Sequence, residues 1–327
     1  MPETMNAVVV SAHGGPENLE FRRFARPEPE AGQVLVKLSV AGVNYLDVAQ
    51  RSGATPLKAP FRAGVEGVGV IAALGPEVRG LAEGQRVGWL AGGQGSFSEF
   101  AVVEASKVVA IPEGIDDSTA VSALMQGFTA HYLSHDTYAV GPGDTVLIHA
   151  AAGGVGQWLT QLAKLKGARV IGTVSSPAKE DAARTNGVDH VIGYDGFAEN
   201  VRGLTGGEGA SVVYDGVGQA TFAESLRALR IRGMLVAIGA ASGPIPPLDV
   251  NSLAGLGSLA VTRPTVSHHV RTAEEISRRA SDLFGWIATG AISVPPVTHY
   301  DITQAVQAFT ALESRRTTGK VVLVHSS

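Results

Sequence analysis

The strongest chemical pattern in the chain is His149-Ala150-Ala151-Ala152-Gly153-Gly154-Val155-Gly156, which follows the apolar segment Thr145-Val146-Leu147-Ile148. After it comes an amphipathic stretch with Val155, Leu159 and Leu162 on one helical face. A strand that turns sharply into a helix presents backbone N–H groups at a positive helix terminus, and glycines let a pyrophosphate reach them. Ala152, Gly153, Gly154, Val155 and Gly156 are therefore read as dinucleotide-binding positions. The alternative is a glycine-rich turn that only packs helix on sheet. The end of the next strand selects the dinucleotide, because Asp or Glu there accepts hydrogen bonds from free ribose hydroxyls. This chain has Val174-Ser175-Ser176-Pro177-Ala178-Lys179, with no acid before Glu180. Ser175, Ser176 and Lys179 suit a 2′-phosphate, so the pattern predicts NADPH. Charged hydrogen bonds contribute about 1.5–3 kcal/mol each, enough for roughly 10- to 1000-fold preference from one or two. In the competing view, Ser176 is a helix N-cap with Pro177 at the first helical position, and Lys179 is a solvated helix residue.

The rest of the chain must position these groups. At 327 residues it exceeds the length at which one core usually suffices, which predicts two domains. With 45% hydrophobic and 17% charged residues it is a folded chain rather than a disordered one. The absence of cysteine excludes disulfides, catalytic thiols and thiolate zinc sites. A net charge of −4 and the lack of any basic run argue against a nucleic-acid partner. Residues 1–10 lack a basic, then apolar, signal pattern. The uncharged run 145–163 is broken by His149, Gln157, Gln161 and three glycines, so no membrane span is expected. A soluble, cytoplasmic protein is the resulting expectation.

Strand-like segments at 6–11, 33–40, 67–74, 84–89 and 97–103 alternate with turns, and no helix longer than about two turns is evident before residue 116. From about 118 the rhythm becomes helical, then alternating. Strands are expected at 145–149, 169–174, 190–192, 211–215, 234–238 and 258–262, with helices at 118–133, 154–166, 177–186, 196–205 and 219–230. Such alternation predicts an α/β, doubly wound parallel sheet. Thr272-Ala273-Glu274-Glu275 forms a capping box ahead of a helix that Gly290 ends, and a helix near 302–314 precedes a strand at 320–324. The simplest architecture places a nucleotide-type domain between the two ends of a β-rich one.

Several segments together resemble the zinc-free quinone oxidoreductases and zeta-crystallins of the medium-chain dehydrogenase/reductase superfamily. They are Ala41-Gly42-Val43-Asn44-Tyr45-Leu46-Asp47, Arg51-Ser52-Gly53, Gly64-Val65-Glu66-Gly67, the 143–164 motif, Val261-Thr262-Arg263-Pro264 and Leu312-Glu313-Ser314-Arg315. The resemblance spans almost the whole chain. It implies a GroES-like catalytic domain from 1–124 and 267–327, a Rossmann NADP-binding domain from 125–266, and an active site in the cleft. It also implies hydride transfer from NADPH to a quinone or similar conjugated carbonyl. By similarity Asn44 and Thr129 serve the nicotinamide and substrate, and Lys179, Tyr194 and Arg315 surround the 2′-phosphate. Ser242 and Thr262 line the cofactor cleft, and the chain is a homodimer paired through strand 258–262. Plainer readings stand beside these: Asn44 bonding a loop, Thr129 as a helix residue, Tyr194 as a half-buried aromatic, Arg315 offsetting a helix dipole.

Zinc-using relatives carry a cysteine where Asn44 stands and a histidine where Val65 stands, so no metal is expected. Glu66 reads as a structural carboxylate, and His268-His269 lacks ligand spacing. Without a Lewis acid, conjugated acceptors are favoured, with the protein supplying proximity and orientation. Ala49 and Thr55 replace tyrosines common in the family, which implies a wider, less aromatic pocket that Tyr45 or Tyr132 could fill. The enzymatic alternative is an enone or enoyl-thioester reductase with Tyr45 as first candidate for proton donor. A weakly active, zeta-crystallin-like nucleotide-binding protein is the other.

Overall fold

The computed structural model describes residues 3–325. The chain separates into two compact units. The first runs through Phe128 and resumes at Val270–Gly290 and from Val294 onward; the second is Thr129–His269 with Ala291–Ser293.

In the first unit, β1 (Thr4–Val10) pairs antiparallel with β2 (Leu19–Ala25), and β4 (Phe61–Arg62) joins its other edge. The long β3 (Gln33–Val43) pairs with β5 (Glu66–Leu74), and β6 (Arg86–Leu90) and β8 (Val108–Ala110) extend that sheet. A further strand, β7 (Phe100–Glu104), also lies against β3. The chain returns at its C-terminal end to add β15 (Val297–Asp301) and β16 (Lys320–Val324), the latter antiparallel to β3. One core serves the unit: Val34, Val36, Trp89, Phe97, Phe309 and Leu323 are among its buried members, and the Phe97 and Phe309 rings meet edge to face at 6.1 Å. Thr272 and Glu275 cap the helix Ala273–Ala288 reciprocally, and its Ile276, Ala280 and Leu283 are buried.

The second unit holds six strands: β9 (Thr145–Ile148), β10 (Arg169–Thr173), β11 (His190–Ile192), β12 (Ala210–Asp215), β13 (Leu229–Ala237) and β14 (Ala260–Thr262). All pair in parallel, in the order β11-β10-β9-β12-β13-β14. This is the doubly wound Rossmann order, in which the connections reverse direction between β9 and β12. Val146, Leu147 and Ile148 are fully buried, as a central parallel strand covered on both faces requires.

Sequence and structure differ where local pattern was weak. β2 and the eight-residue helix Tyr45–Ser52 are additions, their apolar residues being too sparse to show a period. The segment 117–137 is helical throughout, but 123–127 and 133–137 have π-type winding. The helix expected over 219–230 covers only Phe222–Arg227, because Leu229 onward joins β13. The stretch 177–186 is a 3₁₀ turn, Pro177–Lys179, leading into Glu180–Thr185.

Candidate active site

In the second unit, β9 ends at Ile148, and the helix Gly154–Leu165 begins six residues later. Gly153 is its N-cap and makes no side-chain cap, so the first-turn N–H groups of Gly154, Val155 and Gly156 have no intrahelical acceptor. Gly156 is buried, and a Cβ there would strike the Ala150 carbonyl oxygen and lie 2.9 Å from Ala151 Cα. Only glycine fits so close to the turn. Ala150 itself adopts φ 52°, a left-handed conformation costly for a residue with a side chain. The cradle is therefore open, held tightly from below, and suited to an anionic diphosphate.

Ser175 and Ser176 follow β10 at the same C-terminal edge of the sheet. Ser176 takes the N-cap position with Pro177 next, yet its hydroxyl makes no capping hydrogen bond, which leaves it for a ligand. Lys179 closes the 3₁₀ turn, and Glu180 points its carboxylate toward Arg184 instead, at 3.5 Å. Tyr194 lies nearby; its hydroxyl accepts from Ala150 N at 3.1 Å and its ring stacks on His149 at 5.8 Å. Ser242 bonds Val217 O and accepts from Ala220 N, clasping the turn after β13 to the turn after β12. Thr262 ends the edge strand β14, half-buried. The residues present fit a dinucleotide: unassigned helix N–H groups, a glycine that admits no side chain, and hydroxyls and a lysine where an acid would select a bare ribose. Thr129, half-buried, sits between the two π-wound stretches, a winding that often accompanies functional positions.

In the first unit, Asn44 caps the helix Tyr45–Ser52 and is itself buried. Its N–H donates to Asp47 Oδ2 at 2.8 Å. Its Nδ2 donates to Glu66 Oε1 at 2.8 Å, and its Oδ1 accepts from Lys320 Nζ at 2.9 Å. Lys320 also pairs with Glu66, both fully buried, and Glu66 Oε2 takes Met125 N at 2.8 Å. A Cβ at Gly42 would overlap the Glu66 carboxylate, which explains that glycine between Ala41 and Val43. Burial raises Asp47 to about 7, with Glu66 adding to the rise and the Asn44 N–H and Lys320 opposing it. Tyr45, one residue along, faces elsewhere. It is 45% exposed, its hydroxyl donates to Leu312 O at 3.2 Å, and burial of the ring raises its pKa against the nearby Arg315. Arg315 is exposed beyond the helix Ala305–Glu313 with φ 57°.

Lys320, Asp47, Thr173, Ser225 and Asp215 were not singled out from sequence. Asp47 had a signal, since Asn44-x-x-Asp47 has capping-box spacing. Lys320 had none: a lysine opening an apolar strand reads as an exposed end.

Two family models match the chain: an alcohol dehydrogenase GroES-like domain over residues 30–113 and a zinc-binding dehydrogenase domain over 154–284. A quinone oxidoreductase of Pseudomonas aeruginosa is 41% identical over 96% of this chain and 98% of its own. A 2-haloacrylate reductase of a Burkholderia species is 38% identical over 97% and 98%. The crystal structure of Escherichia coli quinone oxidoreductase complexed with NADPH, 34% identical, superposes with a TM-score of 0.95 over 98% of this chain and 99% of that one. The chain thus belongs to the medium-chain dehydrogenase/reductase superfamily, with a GroES-like domain and a Rossmann domain. Within it, the chain is a member of the zinc-free quinone oxidoreductase and zeta-crystallin family.

The zinc in the second domain's description does not fit the residues present. Val65 offers no donor, and the Asn44 carboxamide is already held between a carboxylate and an ammonium group. Among the described residues no cluster of three or more His, Asp or Glu side chains could hold a metal ion. A buried lysine at this point would repel a dication.

Proposed function

We propose that this chain is an NADPH-dependent quinone oxidoreductase acting without a metal. The full-length likeness to quinone oxidoreductases carries the reading, and the acid-free stretch at Ser175–Lys179 supports the choice of cofactor. When bound, NADPH supplies a hydride that, with one proton from solvent, reduces a quinone to its hydroquinone. The protein's own contribution is placement. Ala152, Gly153, Gly154, Val155 and Gly156 hold the pyrophosphate, and Ser175, Ser176 and Lys179, with Tyr194 and Arg315, take the 2′-phosphate. Ser242 and Thr262 border the cofactor. Asn44 and Thr129 are assigned to nicotinamide and acceptor, in a GroES-like catalytic domain of 1–124 and 267–327 and a Rossmann domain of 125–266. Asn44 is suited to holding rather than reacting, since Lys320 and Glu66 leave its amide one orientation.

The Burkholderia relative keeps a second acceptor class in view, an electron-poor carbon–carbon double bond. For that chemistry Tyr45 is a poor donor, because its hydroxyl is engaged by Leu312 and its pKa is raised. The decisive experiment crosses NADPH and NADH with benzoquinones, naphthoquinones and conjugated acids or thioesters. NADPH with quinones is expected to give the highest kcat/KM, and Lys179→Ala to narrow the NADPH-over-NADH preference about tenfold. Equal use of both cofactors, or turnover of conjugated acids alone, overturns the reading.

Among the described residues no helix is long and apolar enough to cross a membrane; a cytoplasmic site of action is part of the proposal. So is a homodimer built on β14, the edge of the Rossmann sheet. Ile231 and Val250, 74% and 72% exposed, support it, and Ile231 packs beside Gly257 just before that strand. Light scattering should give twice the chain mass, and Ile231→Asp should lower it to one.

A further inference from the structure

The phosphate turn rests on a buried chain of neutral and acidic groups to which the family reading assigns no role. His149 is 4% exposed and sits where β9 gives way to the turn. Its Nδ1 lies 3.0 Å from Thr173 Oγ1, and its Nε2 lies 2.9 Å from Ser225 Oγ. Ser225 Oγ donates to Asp215 Oδ2 at 3.0 Å, which uses its one proton. The imidazole must then donate from Nε2, and in the neutral ring Nδ1 accepts, so Thr173 Oγ1 donates to it. Thr173 Oγ1 in turn accepts from Ala150 N at 3.3 Å, the residue in the left-handed conformation. At the far end, Asp215 Oδ1 accepts from Val217 N at 2.8 Å, Gly218 N at 2.9 Å and the Thr221 hydroxyl. Between Thr173 and Asp215 the hydrogen bonds run in one direction, while at the ends the Ala150 N–H is shared with Tyr194 and the Thr221 hydroxyl with both Asp215 oxygens. Phe197 packs edge-on against the imidazole at 4.7 Å, and the Tyr194 ring stacks on it at 5.8 Å.

The location gives the series its meaning. β9 and β12 are neighbours, paired from Val146–Val212 to Ile148–Tyr214, and the strand order reverses between them. Dinucleotides lie in the crevice beyond the strand ends at such a point. The series runs beneath it, from the Ala150 amide on one rim to the Val217 and Gly218 amides on the other.

We propose that His149 is a positioning residue for the cofactor: as an uncharged imidazole donating from Nε2, it locks the turn after β9 to the turn after β12 and so holds the pyrophosphate-binding amides at a fixed spacing. The inference rests on the dinucleotide reading above. It concerns binding geometry and not hydride transfer, and it does not depend on which acceptor is reduced.

The test uses the full chain and NADPH itself. His149→Phe keeps an aromatic ring against Phe197 and Tyr194 but cannot donate or accept; Thr173→Val removes the hydroxyl that links His149 Nδ1 to Ala150 N, leaving the Tyr194 hydroxyl as that amide's remaining acceptor. Each is expected to raise the NADPH Kd about fivefold to tenfold, measured by fluorescence titration. The acceptor KM and the kcat at saturating NADPH should stay within about twofold. The double variant should match the single ones, because one broken link already frees the turn. His149→Gln, whose carboxamide can both donate to Ser225 and accept from Thr173, should recover most of the affinity. A Kd unchanged in both single variants, or additive losses in the double, overturns the proposal. If His149→Phe does not fold, Thr173→Val and Ser225→Ala decide it by the same criterion. A wild-type chain that binds NADPH but reduces no quinone overturns the proposed acceptor and leaves this inference standing; one that binds no NADPH overturns both.

Discussion

The first unit buries a carboxylate, an ammonium group and a carboxamide against one another; the second buries an imidazole between two hydroxyls, with its carboxylate at one end. Glu66 and Lys320 are both completely enclosed, and Asn44 bridges them. In the second unit Asp215 is surrounded by two backbone N–H groups and two hydroxyls, and the imidazole beyond stays neutral, burial lowering it to about 4 against the pull of Asp215. The contrast is between a network whose members cancel charge and one whose members pass hydrogen bonds along. Losing one member of the first strands a charge out of water. Losing one member of the second leaves a hydroxyl or an amide short of a partner, a much smaller cost.

The largest expected effect follows directly. Lys320→Met should destabilise the folded chain by about 3–5 kcal/mol, because Glu66 is left charged and enclosed. Glu66→Gln in the Lys320→Met background should restore part of that loss. Denaturant unfolding followed by two probes would measure it, and a loss below about 1 kcal/mol would show that the pair is not the ionic hub described here.

Next in size is a pH effect of opposite sign in the two networks. Asp47, raised to about 7, keeps a proton in the folded chain that an unfolded aspartate has released above about 4. Its contribution to stability is therefore present at low pH and lost as pH rises from about 4 to about 7, by on the order of 2–4 kcal/mol. His149, lowered to about 4, acts the other way: the unfolded chain binds the extra proton between about 4 and 6.5, so stability rises with pH there. His325, also lowered to about 4 by burial, adds to that rise. Asp47→Asn should remove only the falling component, so that its stability relative to wild type improves from pH 4.5 to pH 7.5. Parallel curves for the two proteins would mean that Asp47 titrates in the folded chain much as it does in the unfolded one.

Smallest is the stability cost in the second network. Thr173→Val or Ser225→Ala should cost about 1 kcal/mol, a neutral hydrogen bond's worth, even while NADPH affinity changes. A loss as large as that of Lys320→Met would erase the distinction between the two regions.

Much of the proposed dinucleotide site can be read from sequence because its pattern is local. A strand, a glycine turn and a helix follow one another within about twenty residues from Thr145, and the groups after β10 are contiguous. The alternation of strands and helices likewise made the parallel sheet visible, since the buried strands are continuous apolar runs. The first unit was harder. Its sheets draw on strands far apart in the chain, such as β3 with β16, and β2 shows no apolar alternation strong enough to separate it from a loop.

Apart from what the family resemblance implied for positions 44 and 65, composition and local pattern determined the fold class, the glycine turn between strand and helix, and the lack of an acid from Val174 to Lys179. They did so because those properties depend on residue type and spacing over a few turns of chain. Only the tertiary structure decided that Lys320 meets Asn44 and Glu66 across 276 and 254 residues of sequence, that Tyr45 turns outward while its neighbour Asn44 turns in, and that His149 is tied to Ser225 and Asp215. Such partnerships are made by strand pairing and burial, and a sequence carries no local mark of which distant side chain will be enclosed with which.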